Sequence, residues 1–500
     1  MGREQIKYFA SSFIWGIIAK FLDAGIRFAT IPLLLSYFGK ENYGLITLAV
    51  AVNAYMGLLN MGVNTGAVKF FSQWLASGKY DLLHRVARTN VSFYLGISLI
   101  NSLVLVVLAV WGENLFQVTT EEFITFRHLL YVLAIFSIIN WVTFVFNQLL
   151  VADEKIGFTQ QVLSARSIFE LCAVGLTVWL NWSVGQYFFI HLLINASVII
   201  PYWYVCHKRK LIDSIVPGFY WKDFGEVFKY GLAILAMGVF QYTAAQSRPL
   251  ILGIFSNEGV GILSEYRIIE VFPLFIISLG GMLISIFLPK SAKIIQNNDR
   301  VKIEKLAYEG TKYTSVLVAM LCFPIMLVSK DLLTLYVGEE YSHLSVWLSL
   351  WVFSLTLFLH NSPVASLVLG TGKTKMLVYS SAIACIVSII INVLFCNVWG
   401  VGSAVVGYLV YVIVQMTFYY LYFNNKILGL KSMKVFKSFI IPTGLCMLIT
   451  LGIMFLNIEF ESALTTLIIK LMVWGICYCI LLQLVRIVDI KQLLLNKYKF

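Results

Sequence analysis

Charged residues are scarce in this sequence. Asp, Glu, Lys and Arg make up 12% of its 500 positions, whereas they make up about a quarter of a typical soluble domain. Hydrophobic residues account for 60% of the chain, and the mean hydropathy is +0.85. This shortage of charge excludes an ordinary soluble globular protein and predicts an integral membrane protein.

Motifs for metal binding and ATP hydrolysis are also missing. The eight cysteines fall in or at the ends of apolar stretches without a CxxC spacing, so they predict small core side chains and not a zinc or disulfide framework. The segment "LVLGTGKT" (367–374) resembles the end of a phosphate-binding loop, but Leu367 stands where such a loop needs its first glycine. We therefore predict no metal site and no cofactor.

The chain has instead a series of apolar stretches of about 20 residues, the length an α-helix needs to cross about 30 Å of hydrocarbon. These stretches predict an all-α polytopic membrane protein with about 14 transmembrane helices. We number the predicted spans 1 to 14 along the chain. They are 11–37, 44–67, 90–111, 128–151, 161–181, 185–206, 231–255, 259–288, 313–329, 345–369, 377–398, 401–424, 438–457 and 465–485.

The basic residues indicate the orientation of the spans. Lys and Arg concentrate at both termini and in the even-numbered loops, whereas the odd-numbered loops contain three, Lys40, Arg127 and Lys330. By the positive-inside rule, the even loops and both termini are cytoplasmic, in the cytoplasmic (inner) membrane of a bacterium. This bias explains the net charge of +12, so we predict contact with membrane lipids and no nucleic-acid partner.

An internal repeat relates the two halves of the chain. "YFGKENYGLIT" (37–47) and "IFSNEGVGILS" (254–264) match at Phe, Glu and Gly with an offset of 217, and Gly185 meets Gly402 at the same offset. The repeat predicts two six-helix bundles related by an axis along the membrane normal, an arrangement found in transporters. The predicted domains are 1–210, 211–430, and 431–500 with spans 13 and 14 and a cytoplasmic tail.

Several segments resemble one known family. "LLLSYFGKENYGLITLAVAVNAYMGLLNMGVNTGAVKFFSQ" (33–73), "LILGIFSNEGVGILSEYRI" (250–268), "FLPKSAKI" (287–294) and "LVLGTGKTKM" (367–376) are similar to bacterial polysaccharide repeat-unit flippases of the Wzx type. These flippases belong to the multidrug/oligosaccharidyl-lipid/polysaccharide (MOP) exporter superfamily. The resemblance covers essentially the whole chain. Arg248 stands where many relatives have an acidic residue.

The resemblance implies a fold and an activity. It implies two six-helix bundles arranged as in multidrug and toxin extruders (MATE-like), with two extra C-terminal helices. The implied activity is the carriage of an undecaprenyl-pyrophosphate-linked oligosaccharide from the cytoplasmic to the outer leaflet by alternating access, for O-antigen or other surface polysaccharide. The implied partners are this lipid-linked oligosaccharide, a polysaccharide polymerase and assembly proteins.

Charged residues inside the spans are the candidate functional groups, because a charge at the bilayer centre costs about 2.5–3.5 kcal/mol and needs a partner or a wet cavity. "KFLDAGIR" in span 1 places Lys20, Asp23 and Arg27 on one helix face. Either they form a structural ion-pair network, or Arg27 faces a cavity and binds a diphosphate through its planar guanidinium. The cationic candidates are Lys20, Arg27, Arg166, Arg248 and Arg267.

The carboxylates and amides in the same spans can each be interpreted in two ways. A carboxylate either pairs with a neighbouring arginine or couples transport to a Na⁺ or H⁺ gradient. The acidic candidates are Asp23, Glu170, Glu265 and Glu270. Intramembrane amides usually join helices, although sugar recognition would use the same residue types. The polar candidates are Asn53, Asn60, Gln246 and Asn361.

Three alternatives to this flippase remain. A multidrug or organic-cation exporter of the same superfamily would typically have twelve helices and an acidic or aromatic cavity. A flippase for a lipid-linked peptidoglycan precursor would share the fourteen-helix plan and a cationic cavity. An envelope-polysaccharide enzyme would need a sizeable domain beside the membrane, whereas the longest outward connections, 112–127 and 330–344, have only about 15 residues. The sequence therefore predicts a transporter and not an enzyme.

Overall fold

The structure is a computed structural model of the 500-residue chain. It describes the backbone of residues 3–373, 375–456, 458, 460 and 462–485. Side chains are described from residue 19 onward, except at some positions within 55–61, 233–237 and 281–292. The predicted cytoplasmic tail after residue 485 lies outside the described residues.

The described residues fold into helices joined by short connections. In the first part of the chain these are α1 (Arg3–Met56), α2 (Leu58–Ala76), α3 (Tyr80–Trp111), α4 (Thr120–Ala152), α5 (Ile156–Leu180), α6 (Val184–Ser197), α7 (Ile199–Lys208) and α8 (Trp221–Phe255). The remaining helices are α9 (Ile262–Gln296), α10 (Arg300–Leu327), α11 (Ser329–Val337), α12 (Ser345–Leu359), α13 (Ser362–Gly370), α14 (Lys375–Trp399), α15 (Val401–Phe418), α16 (Ser432–Phe455) and α17 (Ala463–Leu484). A π-helix, Tyr419–Ile427, continues α15.

The predicted all-α membrane fold is confirmed. Eleven helices in the described part of the chain are long and apolar enough to cross a membrane. One of them, Ala19–Ala54, contains the boundary between predicted spans 1 and 2. The boundary is a kink at Gly39, whose φ of 80° is readily adopted only by glycine. Span 10 is likewise divided between α12 and α13.

Polar caps fix where several helices begin. Thr119 and Glu122 form a capping box at the start of α4, and Ser183 and Gln186 form another at α6. Because of the first box, α4 starts at Thr120, eight residues before the predicted start of span 4. Asp299 caps α10, and its hydrogen bonds with Lys302 hold the pKa of the Asp299 carboxyl below its usual value.

The chain divides into two compact units. The first comprises residues 1–267 and 393–401, and its core packs large side chains such as Phe71, Tyr94 and Phe146. The second comprises residues 268–392 and 402–500 and contains two apolar clusters, one around Leu367 and Phe423 and one around Trp474. The predicted domain boundaries at 210/211 and 430/431 follow from the sequence repeat and stay a prediction.

Within the first unit, α2 and α8 approach each other through glycines. A Cβ on Gly62 would lie 2.2 Å from the carbonyl oxygen of Gly231, and one on Gly66 would lie 2.7 Å from that of Val227. Such distances are shorter than any normal carbon–oxygen contact. The two backbones therefore touch only because these positions carry no side chain, as at many helix crossings in membranes.

We expect Gly62→Ala to destabilise the protein by about 1–3 kcal/mol, the usual cost of overpacking, because the new methyl group meets backbone that has no rotamer to change. Thermal unfolding of the purified protein in detergent would measure this. The control is Gly225→Ala in α8, where a Cβ meets nothing within 4 Å; it should be neutral or slightly stabilising. Equal melting temperatures for the two variants would contradict the close contact.

Candidate functional site

The charged stripe of α1 takes part in an ion-pair network that reaches α5. The Nε atom of Arg27 lies 2.9 Å from Oδ2 of Asp23, one helical turn away. The other carboxylate oxygen of Asp23 lies 3.7 Å from a terminal nitrogen of Arg166 in α5 and 3.4 Å from the Ser167 hydroxyl. Asp23 therefore joins two helices, which sequence reasoning did not predict because it considered only partners within α1.

Arg166 extends the network to α6. Its guanidinium lies 3.5 Å from Glu170, the i,i+4 partner expected from the sequence, and 3.3 Å from Oδ1 of Asn195. The amide of Asn195 in turn donates to Glu170 at 3.0 Å, and the His191 ring lies 3.9 Å from the same carboxylate. Asn195 thus holds both charged partners in place, although its residue type alone gave no signal in the sequence.

The two arginines of the network differ in exposure. Arg27 and Arg166 balance Asp23 and Glu170, and Lys20 lies one turn before Asp23 on the same face of α1. Arg27 is 44% exposed in its side chain and Arg166 24%. Among the described residues, Arg27 makes one hydrogen bond, through Nε to Asp23. Its two terminal nitrogens are therefore available for an anion such as a phosphate, which an arginine fork binds through two oxygens.

The cationic candidates of α8 and α9 occupy different environments. Arg248 is buried, with 8% of its surface exposed, next to the half-buried Gln246 two residues earlier. Arg267 is half-buried near the start of α9. Glu270 is half-buried in the part of α9 that belongs to the second unit. A shared site for these residues and Arg27 stays a prediction.

Glu265 forms an ion pair at the predicted outer end of the first unit. Its carboxylate lies 2.5 Å from Nζ of Lys40, which follows the kink in α1, and the Ser264 hydroxyl donates to the Lys40 carbonyl. The two glycines matched by the repeat lie in this contact. A Cβ on Gly44 would lie 2.3 Å from the Val260 carbonyl oxygen, and one on Gly261 would lie 3.0 Å from the Lys40 side chain. Each repeat segment therefore packs against the other.

Two polar candidates hold helices together inside the first unit. Oδ1 of Asn53 accepts a hydrogen bond from Asn101 at 2.9 Å. Oδ1 of Asn60 accepts one from Tyr94 at 2.7 Å, and the Tyr94 hydroxyl also accepts from Gln148 at 2.8 Å. These hydrogen bonds join neighbouring helices, as intramembrane amides usually do.

Asn361 is the polar candidate in the second unit. It is 5% exposed and lies at the break between α12 and α13, where the chain turns before Pro363. The neighbouring His360 is fully buried, stacks on Phe439 and lies 2.9 Å from the Tyr420 hydroxyl. This break in span 10 was not predicted from the sequence, although Pro363 was a signal for it.

A further partly buried ion pair was missed in the sequence. Lys470 in α17 lies 2.8 Å from Asp331 in α11, and their side chains are 15% and 21% exposed. The predicted outward connection 330–344 is therefore not an open loop but contains the short helix α11. In the described part of the chain, no three His, Cys, Asp or Glu side chains lie close enough together to hold a metal ion.

Comparisons with known proteins agree with this architecture. The protein-family model named MatE matches residues 17–172, which include most of α1 and the helices up to α5. Among curated proteins, no relative matches the sequence.

Solved structures with a similar fold are transporters and flippases. The lipid II flippase MurJ in an inward closed conformation has a TM-score of 0.72 at 15% identity, covering 94% of this chain and 99% of that one. An inward-facing multidrug resistance MATE transporter of the MOP superfamily has a TM-score of 0.65 at 14% identity, covering 85% and 98%.

A third similar structure is a MOP superfamily transporter from Pyrococcus furiosus, described as having a binding pocket of reverse polarity that suggests a different function. It has a TM-score of 0.57 at 15% identity, covering 83% of this chain and 96% of that one. The chain is thus an integral membrane protein with the MATE-like fold shared by these transporters.

The network predicts different effects for its two arginines. We expect Arg166→Gln to lower stability by about 1–3 kcal/mol, because it removes a charged group that bridges α1, α5 and α6. Arg27→Gln should cost at most about 1 kcal/mol, since Arg27 is more exposed and pairs within its own helix. Thermal unfolding of both variants in detergent would measure the difference. A larger loss for Arg27→Gln would show that Arg27 is the structural member.

Proposed function

We propose that the protein is a flippase that carries an undecaprenyl-pyrophosphate-linked oligosaccharide repeat unit from the cytoplasmic to the outer leaflet by alternating access. In this proposal it acts in surface polysaccharide assembly, in the bacterial cytoplasmic membrane, with both termini in the cytoplasm. The MATE-like fold supports transport, and the sequence resemblance to polysaccharide flippases supports the substrate class. The diphosphate binds to Arg27 and Lys20, with Arg248 as a further candidate.

The observation that carries this proposal is the exposed guanidinium of Arg27. Its side chain is 44% exposed, and its hydrogen bond within the described residues runs from Nε to Asp23, so its two terminal nitrogens can bind phosphate oxygens. A carrier of organic cations would not gain from such a group, because like charges raise the free energy of a bound cation in a low-dielectric site. A pyrophosphate instead supplies the negative charge that pairs with the arginine.

A flippase for a lipid-linked peptidoglycan precursor is the second candidate. It is favoured by the similarity in fold to the lipid II flippase MurJ, which extends over 94% of this chain. Both candidates present a prenyl diphosphate to the protein, so the cationic site serves either one. They differ in the glycan and therefore in the lipid intermediate that accumulates when the protein is absent.

Transport in this proposal is coupled to a Na⁺ or H⁺ gradient through a carboxylate. Asp23 is the better placed of the acidic candidates, because it is partly exposed and shared between Arg27 and Arg166. Binding of a diphosphate to Arg27 weakens its attraction for Asp23 and raises the affinity of that carboxylate for a cation. In this way Arg27 and Asp23 alone couple binding of the diphosphate to binding of the cation.

Deleting the protein from its host should cause complete prenyl-linked repeat units to accumulate while surface polysaccharide is lost. Extraction and mass spectrometry of the prenyl-linked glycans would measure this. Accumulation of the peptidoglycan precursor, with cell lysis, would support the second candidate. Truncated repeat units would point to an enzyme of assembly, and unchanged glycans with raised drug sensitivity would support a multidrug exporter.

Arg27→Ala should reduce glycan export by about ten- to a hundredfold, the effect of losing charge-assisted hydrogen bonds worth about 1.5–3 kcal/mol. Arg27→Lys should fall in between, because lysine keeps the charge but not the planar fork. The matched control is Arg209→Ala, which removes an arginine that is 43% exposed and also paired with an aspartate. Wild-type export by Arg27→Ala at a normal protein level would overturn the diphosphate site.

A further inference from the structure

The first unit contains a cavity whose lining includes the start of α6. It has a volume of about 760 Å³, within the usual range of ligand pockets. Its lining comes from three places in the chain: Asn42 after the kink of α1, the start of α4 around Thr125 and His128, and the segment from Trp182 to Ile190 at the start of α6. All three belong to odd-numbered connections or the helix ends beside them, so they lie on the predicted outer side.

The repeat shows what distinguishes this cavity. Gly185 lines it, and a Cβ on Gly185 would meet nothing within 4 Å. The matching glycine of the second half, Gly402, is covered by the indole of Trp347, whose Cζ2 would lie 2.3 Å from an added Cβ. Trp347 belongs to α12, the counterpart of α4 in the repeat. In the second half, an aromatic ring of the protein thus occupies the space beside the repeat glycine. In the first half, the matching space is open.

The lining of the cavity suits a neutral polar ring. Trp182 and Phe189 provide aromatic faces, and Asn42, His128 and Gln186 provide hydrogen-bonding groups. Each of these three uses one polar atom locally: Asn42 donates to Phe38, His128 contacts the Ile124 carbonyl, and Gln186 accepts from Ser183. Their other polar atoms, Oδ1 of Asn42, Nε2 of His128 and Nε2 of Gln186, are available to a ligand.

No Asp, Glu, Lys or Arg is among the lining residues of this cavity. A diphosphate would find no cation there, and an organic cation would find no carboxylate. An acyl chain would displace water from the amide and imidazole groups without replacing its hydrogen bonds, which is unfavourable. A sugar ring offers an apolar face to Trp182 and hydroxyl groups to the amides and the imidazole.

We propose that this cavity binds a sugar residue of the lipid-linked oligosaccharide on the outer side of the membrane. The proposal rests on the proposed flippase function and adds a glycan site separate from the diphosphate site. The ring occupies the place that Trp347 fills in the second half, with Trp182 as the aromatic platform and Gln186 and His128 as hydrogen-bonding partners.

Binding of two lipids to the purified full-length protein in detergent tests this site. The probes are the prenyl-linked glycan extracted from the host and undecaprenyl pyrophosphate, which lacks the sugar. Trp182→Leu should weaken binding of the glycan-bearing lipid about two- to tenfold, the value of one aromatic contact, and leave binding of undecaprenyl pyrophosphate unchanged. The matched control is Trp179→Leu, because Trp179 lies at the end of α5 with 76% exposure and outside the cavity.

A second variant tests the same cavity in case Trp182→Leu does not fold. His128→Trp places an indole in the cavity, as in the second half, and should also weaken binding of the glycan-bearing lipid only. Wild-type affinity in both variants would overturn the sugar site and leave the flippase function intact. Equal weakening for both lipids would identify a prenyl or lipid chain as the occupant. If the wild-type protein does not prefer the glycan-bearing lipid, both the sugar site and the proposed function fail.

Discussion

The carboxylate of Asp23 is shared between two arginines on different helices, and the arrangement around it depends on this sharing. Arg27 approaches one oxygen from the same helix, and Arg166 approaches the other from α5. One carboxylate cannot neutralise two guanidinium groups, so the second needs a further anionic partner. Glu170 is that partner for Arg166, and a hydrogen bond from Asn195 holds Glu170 in place. Arg27 has the larger exposed fraction of the two arginines and is therefore the one that an anion can reach.

Helix contacts in the first unit combine this charge pairing with close packing at its ends. Near one end α2 and α8 touch at Gly62 and Gly231, and near the other the Lys40–Glu265 pair and the packing of Gly44 join the two repeat segments. Apolar side chains alone drive little helix association in lipid, because the tails are as apolar as leucine. Backbone contacts at glycines and ion pairs therefore determine which helices pack together, which hydrophobicity alone does not.

Much of the fold could be predicted from the sequence because span length and loop charge are properties of single segments. The pairing of Arg166 with Glu170 was predictable for the same reason, since residues four apart on a helix are neighbours. The contacts of Asp23 with Arg166 and of Glu170 with Asn195 were not, because they join residues that are far apart in the chain. The open space at Gly185 and the filled space at Gly402 likewise depend on which side chain reaches them from another helix.

The ion pair between Lys470 and Asp331 has a consequence for biosynthesis. The two residues are 139 positions apart, so α11 has left the ribosome long before α17 is made. An unpaired lysine opposes entry of a helix into the bilayer, whereas Asp331 is already in place when α17 arrives. The carboxylate that pairs with Lys470 is thus supplied by a part of the chain made earlier, so α17 meets its partner as soon as it packs on α11.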